Sequence, residues 1–561
     1  MRRQPAWYQG AVFYELLVRS FQDSDGDGIG DLTGLLARLD YLQWLGVDCL
    51  WLLPLFPSPL RDGGYDVSDF RGVHEHLGTL EDLTAVVDAA HARGLRVVMD
   101  MLLNHTSDQH PWFQASRQDP TGPYGDFYVW ADDDSGHPDV PVVFCDTEPS
   151  NWTYDEVRGQ YYWHRFFRHQ PDLNYDNPRV RDEMLAVMRF WLERGVDGFR
   201  LDAVPYLYEQ EGTSCAHLPQ THAFLKDVRA VVEREFPGRV LLAEANGSSE
   251  EVAEYFGDGD ECQLAMHFPL MPQVFLALAT GAAGPVADVI AQTPEPPAGC
   301  SWSTFVRNHD ELSLESVTED ERALLYAAYC PEERMRANVG IRRRLAPLLG
   351  HSDAAQLLVT SLLLSLPGTP ILYYGDEIGM GDNIWLEDRD AVRTPMQWTP
   401  TGGFSASPST YYPVNDSALH GPGAVNVEGQ LADESSLLRR TQEALSARRQ
   451  HPALQRGAYV ELSTDNPAVL AFVRVLGDDA VLCLHSFSSF PQPVAVELGE
   501  WGVHGPVSLQ GQAFPVGEDA RLTITMEGHG ALWLSLAAPD PLASLPHQEE
   551  PVARQAAHRV P

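Results

Sequence analysis

The sequence predicts an α/β protein: a (β/α)8 TIM barrel with an inserted subdomain after strand 3, a helical insertion after strand 7 and a C-terminal β-sandwich. Three observations carry this. Eight short apolar strands alternate with amphipathic helices up to residue 457. The alternation breaks once for about 70 residues. After residue 458 the period changes to that of short alternating strands.

Residues 12–19 read as the first strand. A helix follows over 32–47, with Leu35, Leu36, Leu39, Leu42 and Leu45 on its apolar face. Next come a strand at 49–55, a helix at 80–93 and a strand at 95–103. Residues 105–176 are rich in Asp, Pro, Gly and aromatics and too long for an ordinary connection, so they form the inserted subdomain. The alternation resumes with a helix at 180–194, a strand at 198–204, a helix at 222–236 and a strand at 240–245. Strands at 263–268 and 303–307 flank a helix at about 271–279. The polar stretch 318–349 reads as helical, the apolar helix 353–366 precedes the last strand at 370–374, and a helix at 435–450 closes the barrel. The barrel domain is thus 1–104 with 177–457. Residues 458–536 make the sandwich, and the Pro- and Ala-rich stretch 537–561 reads as a disordered tail.

With 561 residues and 44% hydrophobic content, the chain has material for a large core. Neither a run of about 18 apolar residues nor a leader-like apolar segment appears. The seven cysteines are scattered, odd in number and free of Cys-x-x-Cys spacing, which argues for the cytosol and against a disulfide framework or a zinc site. A formal net charge of −40 argues against nucleic acid and anionic membrane as partners, though most of it reads simply as a solvated surface.

Barrel enzymes work at the C-terminal ends of their strands. There the sequence places Asp100 and His105 at the end of strand 3, Arg200 and Asp202 at the end of strand 4, Glu244 at the end of strand 5, and His309 and Asp310 at the end of strand 7. Any one carboxylate alone is more often half of a structural ion pair. Three converging on one mouth are hard to explain as scaffold. An acidic loop, Asp23-Ser-Asp25-Gly-Asp27-Gly28-Ile29-Gly-Asp31, presents oxygens at alternate positions, as a loop that wraps calcium does, although Gly34 stands where an EF-hand has glutamate. The competing reading is a solvated turn whose Asp31 caps the next helix.

These four segments, together with Gln170-Pro-Asp-Leu-Asn174, resemble the signature regions of the α-amylase superfamily and its oligo-1,6-glucosidase-like branch. Within that branch, residues 161–177, 197–211 and 334–349 resemble the trehalose synthases, or maltose α-D-glucosyltransferases. Arg393-Thr-Pro-Met-Gln-Trp398 is shared more widely in the branch.

The resemblance implies a retaining enzyme with Asp202 as nucleophile, Glu244 as acid/base and Asp310 as transition-state stabiliser. Adjacent like charge and burial should hold Glu244 protonated while Arg200 keeps Asp202 ionised. Tyr65, Asp66, His105, His309 and Arg393 would bind the non-reducing glucose, and Glu311 is assigned to the turning glucose by position alone. Ala203 leans towards 1,4-linked maltose. The implied reaction is maltose to trehalose, with minor hydrolysis, and no organic cofactor. Calcium, with magnesium as the alternative, would bind at the acidic loop and at a second site made of Asn104, Asp172, Glu209 and the carbonyls of Tyr206 and Leu207.

The runner-up is a hydrolase of the same branch, an oligo-1,6-glucosidase or α-glucosidase. A non-catalytic transporter-escort relative would lack the triad and carry a membrane helix. Gly247-Ser248-Ser249 departs from the branch's usual Gln-Trp-Pro on the acceptor side. Assembly as a homodimer or larger homo-oligomer stays open, and any maltokinase partner is expected as a separate chain.

Overall fold

The computed structural model describes residues 6–499, 501, 506–508, 512–517 and 519–537. Eight parallel strands close a barrel: β1 (Phe13–Leu16), β2 (Cys49–Leu52), β3 (Arg96–Leu102), β4 (Gly198–Asp202), β5 (Val240–Ala243), β6 (Leu264–Met266), β7 (Ser301–Thr304) and β8 (Thr369–Tyr373). Each pairs with its neighbour in sequence, and β8 closes on β1 with Phe13 opposite Ile371. The strands read as nearly unbroken apolar runs because both faces are buried, one by the barrel interior and one by the helices.

The first strand is shorter than its apolar run. It ends at Leu16, and Val18–Ser20 turn as a 3-10 helix that feeds the acidic loop. A helix at Gly284–Gln292, absent from the sequence reading, follows the expected one at Leu270–Thr280. Residues 105–176 hold a helix, Pro111–Gln118, and a three-stranded sheet of Trp130–Ala131, Gln160–Trp163 and Trp152–Asp155. The stretch 318–349 is helical only in part. After the helix Glu319–Tyr329 comes a hairpin of Arg336–Ala337 and Gly340–Ile341, which pairs with Leu312–Ser313. The turn is made by Asn338 at φ 48°, a left-handed conformation that asparagine tolerates well.

The C-terminal unit packs a five-stranded antiparallel sheet against the pair Gln492–Glu497 and Arg521–Met526. Val469, Ala471, Leu482, Val494, Val496 and Leu522 form its core. The expected tail lies, from residue 538 on, outside the described residues.

Candidate active site

Side chains alternate across a strand, so in β4 Phe199 and Leu201 face the helices while Arg200 and Asp202 face the barrel axis. Arg200 is 1% exposed and sits between two carboxylates. Its Nη1 donates to Asp202 Oδ1 at 2.5 Å, and its Nη2 donates to Glu244 Oε1. Ala203, directly after Asp202, is held at φ 50°, and its N–H donates to Glu244 Oε2 at 3.0 Å. A left-handed alanine costs on the order of 1–2 kcal/mol, so the fold spends strain here to aim an amide at the glutamate.

Burial pushes both carboxyls up, to about 7 each. Arg200 opposes this in both cases, while Asp100 and Asp310 add to it for Asp202, and Asp202 and Asp310 for Glu244. Arg200 therefore does not single out Asp202, as the sequence reading had it. It serves the two together.

Asp310 is different. Burial pushes it up, but His309 and the guanidiniums of Arg389 and Arg393 outweigh this and hold it well below the ordinary range. Arg389 Nη1 and Arg393 Nη2 each lie 3.2 Å from Asp310 Oδ1. Burial also holds His309 neutral and raises Glu15, whose Oε1 lies 2.6 Å from His309 Nδ1. His309 Nε2 lies 2.7 Å from the Tyr65 hydroxyl and 3.1 Å from Asp310 Oδ2. Tyr65 stacks parallel to His309 and donates to Asp100 Oδ2 at 2.6 Å. Burial lowers His105 to about 3, and its Nε2 lies 3.1 Å from the Tyr65 carbonyl.

One cavity takes in Tyr65, His105, Asp202, Glu244, His309, Asp310 and Glu311. The structure thus brings together most of the residues singled out from sequence. Two sit elsewhere. Asp66 is fully buried behind the loop, where it accepts from Ser58 Oγ at 2.7 Å and from the amides of Arg61 and Asp62. Arg393 stands behind Asp310, bonded also to the His309 carbonyl at 3.1 Å. The cavity floor is instead Asp62 and Arg389, paired at 2.6 Å, with Gln170 donating to the other Asp62 oxygen at 2.9 Å.

Sequence reasoning passed over this pair, although Asp62 opens the Asp-Gly-Gly-Tyr-Asp turn. Gly63, at φ 56°, packs so tightly on the Arg393 guanidinium that a Cβ there would collide with it. On the far side, Phe144, Phe166, Phe268 and Val339 wall the cavity, with Asn246 hydrogen-bonded to Glu315. The departure at Gly247-Ser248-Ser249 is a helix start: Ser248 and Glu251 form a capping box for Ser249–Ala253.

The acidic loop gathers carboxylate oxygens of Asp23, Asp25 and Asp27 within 4.8 Å of one another. Asp31, expected from sequence among the ligands, stands outside this group; it accepts from Gly34 N at 2.7 Å as the cap of the helix Leu32–Leu45, and from Ser24 N and Oγ. Asn104 and Asp172 are brought together by the bridge between residues 105 and 172. Asn104 Oδ1, Asp172 Oδ2 and Glu209 Oε1 are all buried without a hydrogen-bond partner. Three orphaned buried oxygens are what a hard cation would satisfy.

Comparison with known proteins bears on the chain as a whole. The alpha amylase catalytic domain profile matches residues 15–457, and the maltogenic amylase C-terminal domain profile matches 459–533. A Mycobacterium tuberculosis (strain CDC 1551 / Oshkosh) protein named trehalose synthase/amylase TreS is 57% identical over 544 residues, covering 95% of this chain and 90% of its own. The trehalose synthase of Pimelobacter sp. (strain R48) is 54% identical over 555 residues, covering 96% and 97%. The crystal structure of the alpha-glucosyl transfer enzyme XgtA superposes with a TM-score of 0.78 at 31% identity, covering 95% of this chain and 100% of that one. With the profile matched from β1 to the end of the barrel domain, the chain belongs to the α-amylase family.

Proposed function

We propose that the chain isomerises maltose to trehalose by double displacement through a β-glucosyl-enzyme, with minor hydrolysis to glucose. Asp202 attacks the anomeric carbon, and Glu244 gives its proton to the departing O4 of the second glucose. The freed glucose turns and offers its 1-hydroxyl. Glu244 takes that proton as the bond from carbon to Asp202 breaks and the new C–O bond forms. Asp310, kept ionised, stabilises the oxocarbenium-like transition state, and neutral His309 and His105 line the pocket beside the sugar.

The observation that carries the reading is a carboxylate pair sharing Arg200 above a closed Asp62–Arg389 floor, which admits a chain end or a disaccharide but not the middle of a polymer. Identity of 54–57% to proteins named trehalose synthase supports isomerisation over plain hydrolysis. Calcium, with magnesium as the alternative, is assigned to Asp23, Asp25, Asp27 and the Ile29 carbonyl, and to Asn104, Asp172, Glu209 and the carbonyls of Tyr206 and Leu207. Either ion would brace loops and take no part in the chemistry. A cytosolic location is in keeping with seven cysteines that are all free, six of them buried. No helix among the described residues is long and apolar enough to cross a membrane.

The test is product analysis from maltose by chromatography against authentic trehalose. Mostly trehalose, formed reversibly and abolished in Asp202→Ala, supports the proposal; glucose alone leaves an α-glucosidase.

A further inference from the structure

Glu15 is a wholly buried acid on β1, in register between Trp51 of β2 and Tyr373 of β8. Among the described residues no lysine or arginine pairs with it. Its Oε1 meets His309 alone, lying 2.6 Å from Nδ1 and accepting from the His309 backbone N–H at 3.1 Å. Its Oε2 is buried with no hydrogen-bond partner. An ionised carboxylate with one oxygen stranded in this way is costly, whereas a carboxylic acid leaves only a carbonyl unsatisfied. Asp310 and Asp100 face Glu15 across the barrel and favour its neutral form, against Arg200 and the His309 amide.

Donors and acceptors lead to the same protonation from the other end. Asp100 Oδ1 accepts from Trp51 Nε1 at 2.8 Å, and Asp100 Oδ2 accepts from the Tyr65 hydroxyl at 2.6 Å. That hydroxyl has one hydrogen and has given it to Asp100, so towards His309 Nε2, 2.7 Å away, it accepts. Nε2 therefore carries a hydrogen, which also faces Asp310 Oδ2 at 3.1 Å. Burial and the guanidiniums of Arg393, Arg200 and Arg389 keep the ring from taking a second proton, although Asp310 opposes them. Nδ1 is then bare, and the hydrogen that meets it belongs to Glu15.

We infer that Glu15 is a positioning residue: as a neutral acid it holds His309 in the Nε2–H tautomer, and the chain Glu15–His309–Tyr65–Asp100 aims Tyr65 and leaves the charge of Asp310 for the developing oxocarbenium. Without that donor the imidazole hydrogen is free to move to Nδ1. A bare Nε2 lone pair would then face the Asp310 carboxylate and push it from its place. The inference rests on the proposed double displacement, in which Asp310 stabilises the transition state.

The experiment compares wild type, Glu15→Gln and Glu15→Leu in initial rates with maltose across pH, and records the infrared difference spectrum of wild type minus Glu15→Gln at neutral pH. Glutamine keeps a neutral donor for Nδ1. Glu15→Gln is therefore expected to keep kcat and KM within about three-fold of wild type and to leave the pH profile of kcat/KM unchanged. Leucine fills the space without a donor. Glu15→Leu is expected to lose about ten-fold or more in kcat with KM within about three-fold, glucose and trehalose formation falling alike. The difference spectrum is expected to show the carbonyl stretch of a protonated carboxylic acid. A carboxylate band in its place, or Glu15→Gln as damaged as Glu15→Leu, overturns the inference, because Glu15 then works as an anion. Folded Glu15→Leu with wild-type kcat overturns it equally. Should Glu15→Leu not fold, Glu15→Met, closer to glutamate in shape and also without a donor, carries the same comparison. A wild type that leaves maltose unchanged sinks the double displacement itself, an outcome distinct from these, and the spectrum still decides the state of Glu15.

Discussion

In the proposed mechanism Asp202 and Glu244 do opposite jobs from one shared guanidinium, and their protonation decides which pH values permit turnover. Both carboxyls are raised to about 7. At low pH both are protonated and the nucleophile is lost; at high pH both are ionised and the acid is lost. The kcat/KM profile is expected to be a bell centred near neutrality, and Glu244→Gln should lose its alkaline limb along with roughly 10²–10⁴-fold in rate. The same shift has a cost in stability. A carboxyl raised in the fold is most favourable below its ordinary range, and its contribution is lost as pH rises through about 7. Glu244→Gln should therefore raise the melting temperature at pH 8, by a change on the order of 1–3 kcal/mol, and leave it nearly unchanged at pH 4. A melt series across that range checks the sign. At this scale the residues on strand ends were legible, because a barrel fixes where its strand ends point. Asp62 and Arg389 were not, because each stands one turn of loop from an equally plausible partner, Asp66 or Arg393. The hydrogen bonds of Asp66 to its own loop and of Arg393 to the His309 carbonyl hold those two behind the cavity.

The loops around the barrel answer to a different physics, that of satisfying oxygens. Asp31 already caps its helix, so Asp31→Ala should cost about 1 kcal/mol of stability with or without metal, as thermal melts in chelator will show. Asp25→Ala should instead abolish the dependence of the melting temperature on added Ca2+ at this loop, since it removes one of the three clustered carboxylates. Asn104, Asp172 and Glu209 are far apart in sequence, and their convergence follows from the resemblance rather than from any local pattern. The three unpartnered oxygens make it physical. Among elements, the long apolar helix at 353–365 and the barrel strands stood out because both are mostly buried. The hairpin at 336–341 did not. Its strands are two residues each, too short for period 2 to register, and its turn is an asparagine rather than a glycine.

Taken whole, the molecule is a barrel whose floor is a buried ion pair and whose roof is borrowed from two insertions. Arg389 is where the two meet, pairing with Asp62 and Asp310 below and facing Phe144 above. Arg389→Ala is expected to raise KM for maltose at least ten-fold and to increase hydrolysis relative to transfer, measurable in one set of initial rates. The central claim, that the glucose released from maltose is the glucose that becomes trehalose, has a direct measurement. Maltose is converted in the presence of excess ¹³C-glucose, and the trehalose is analysed by mass spectrometry. The account predicts trehalose almost free of label, because the acceptor never leaves the cavity. Trehalose carrying label in proportion to the free glucose, or no trehalose at all, would contradict it.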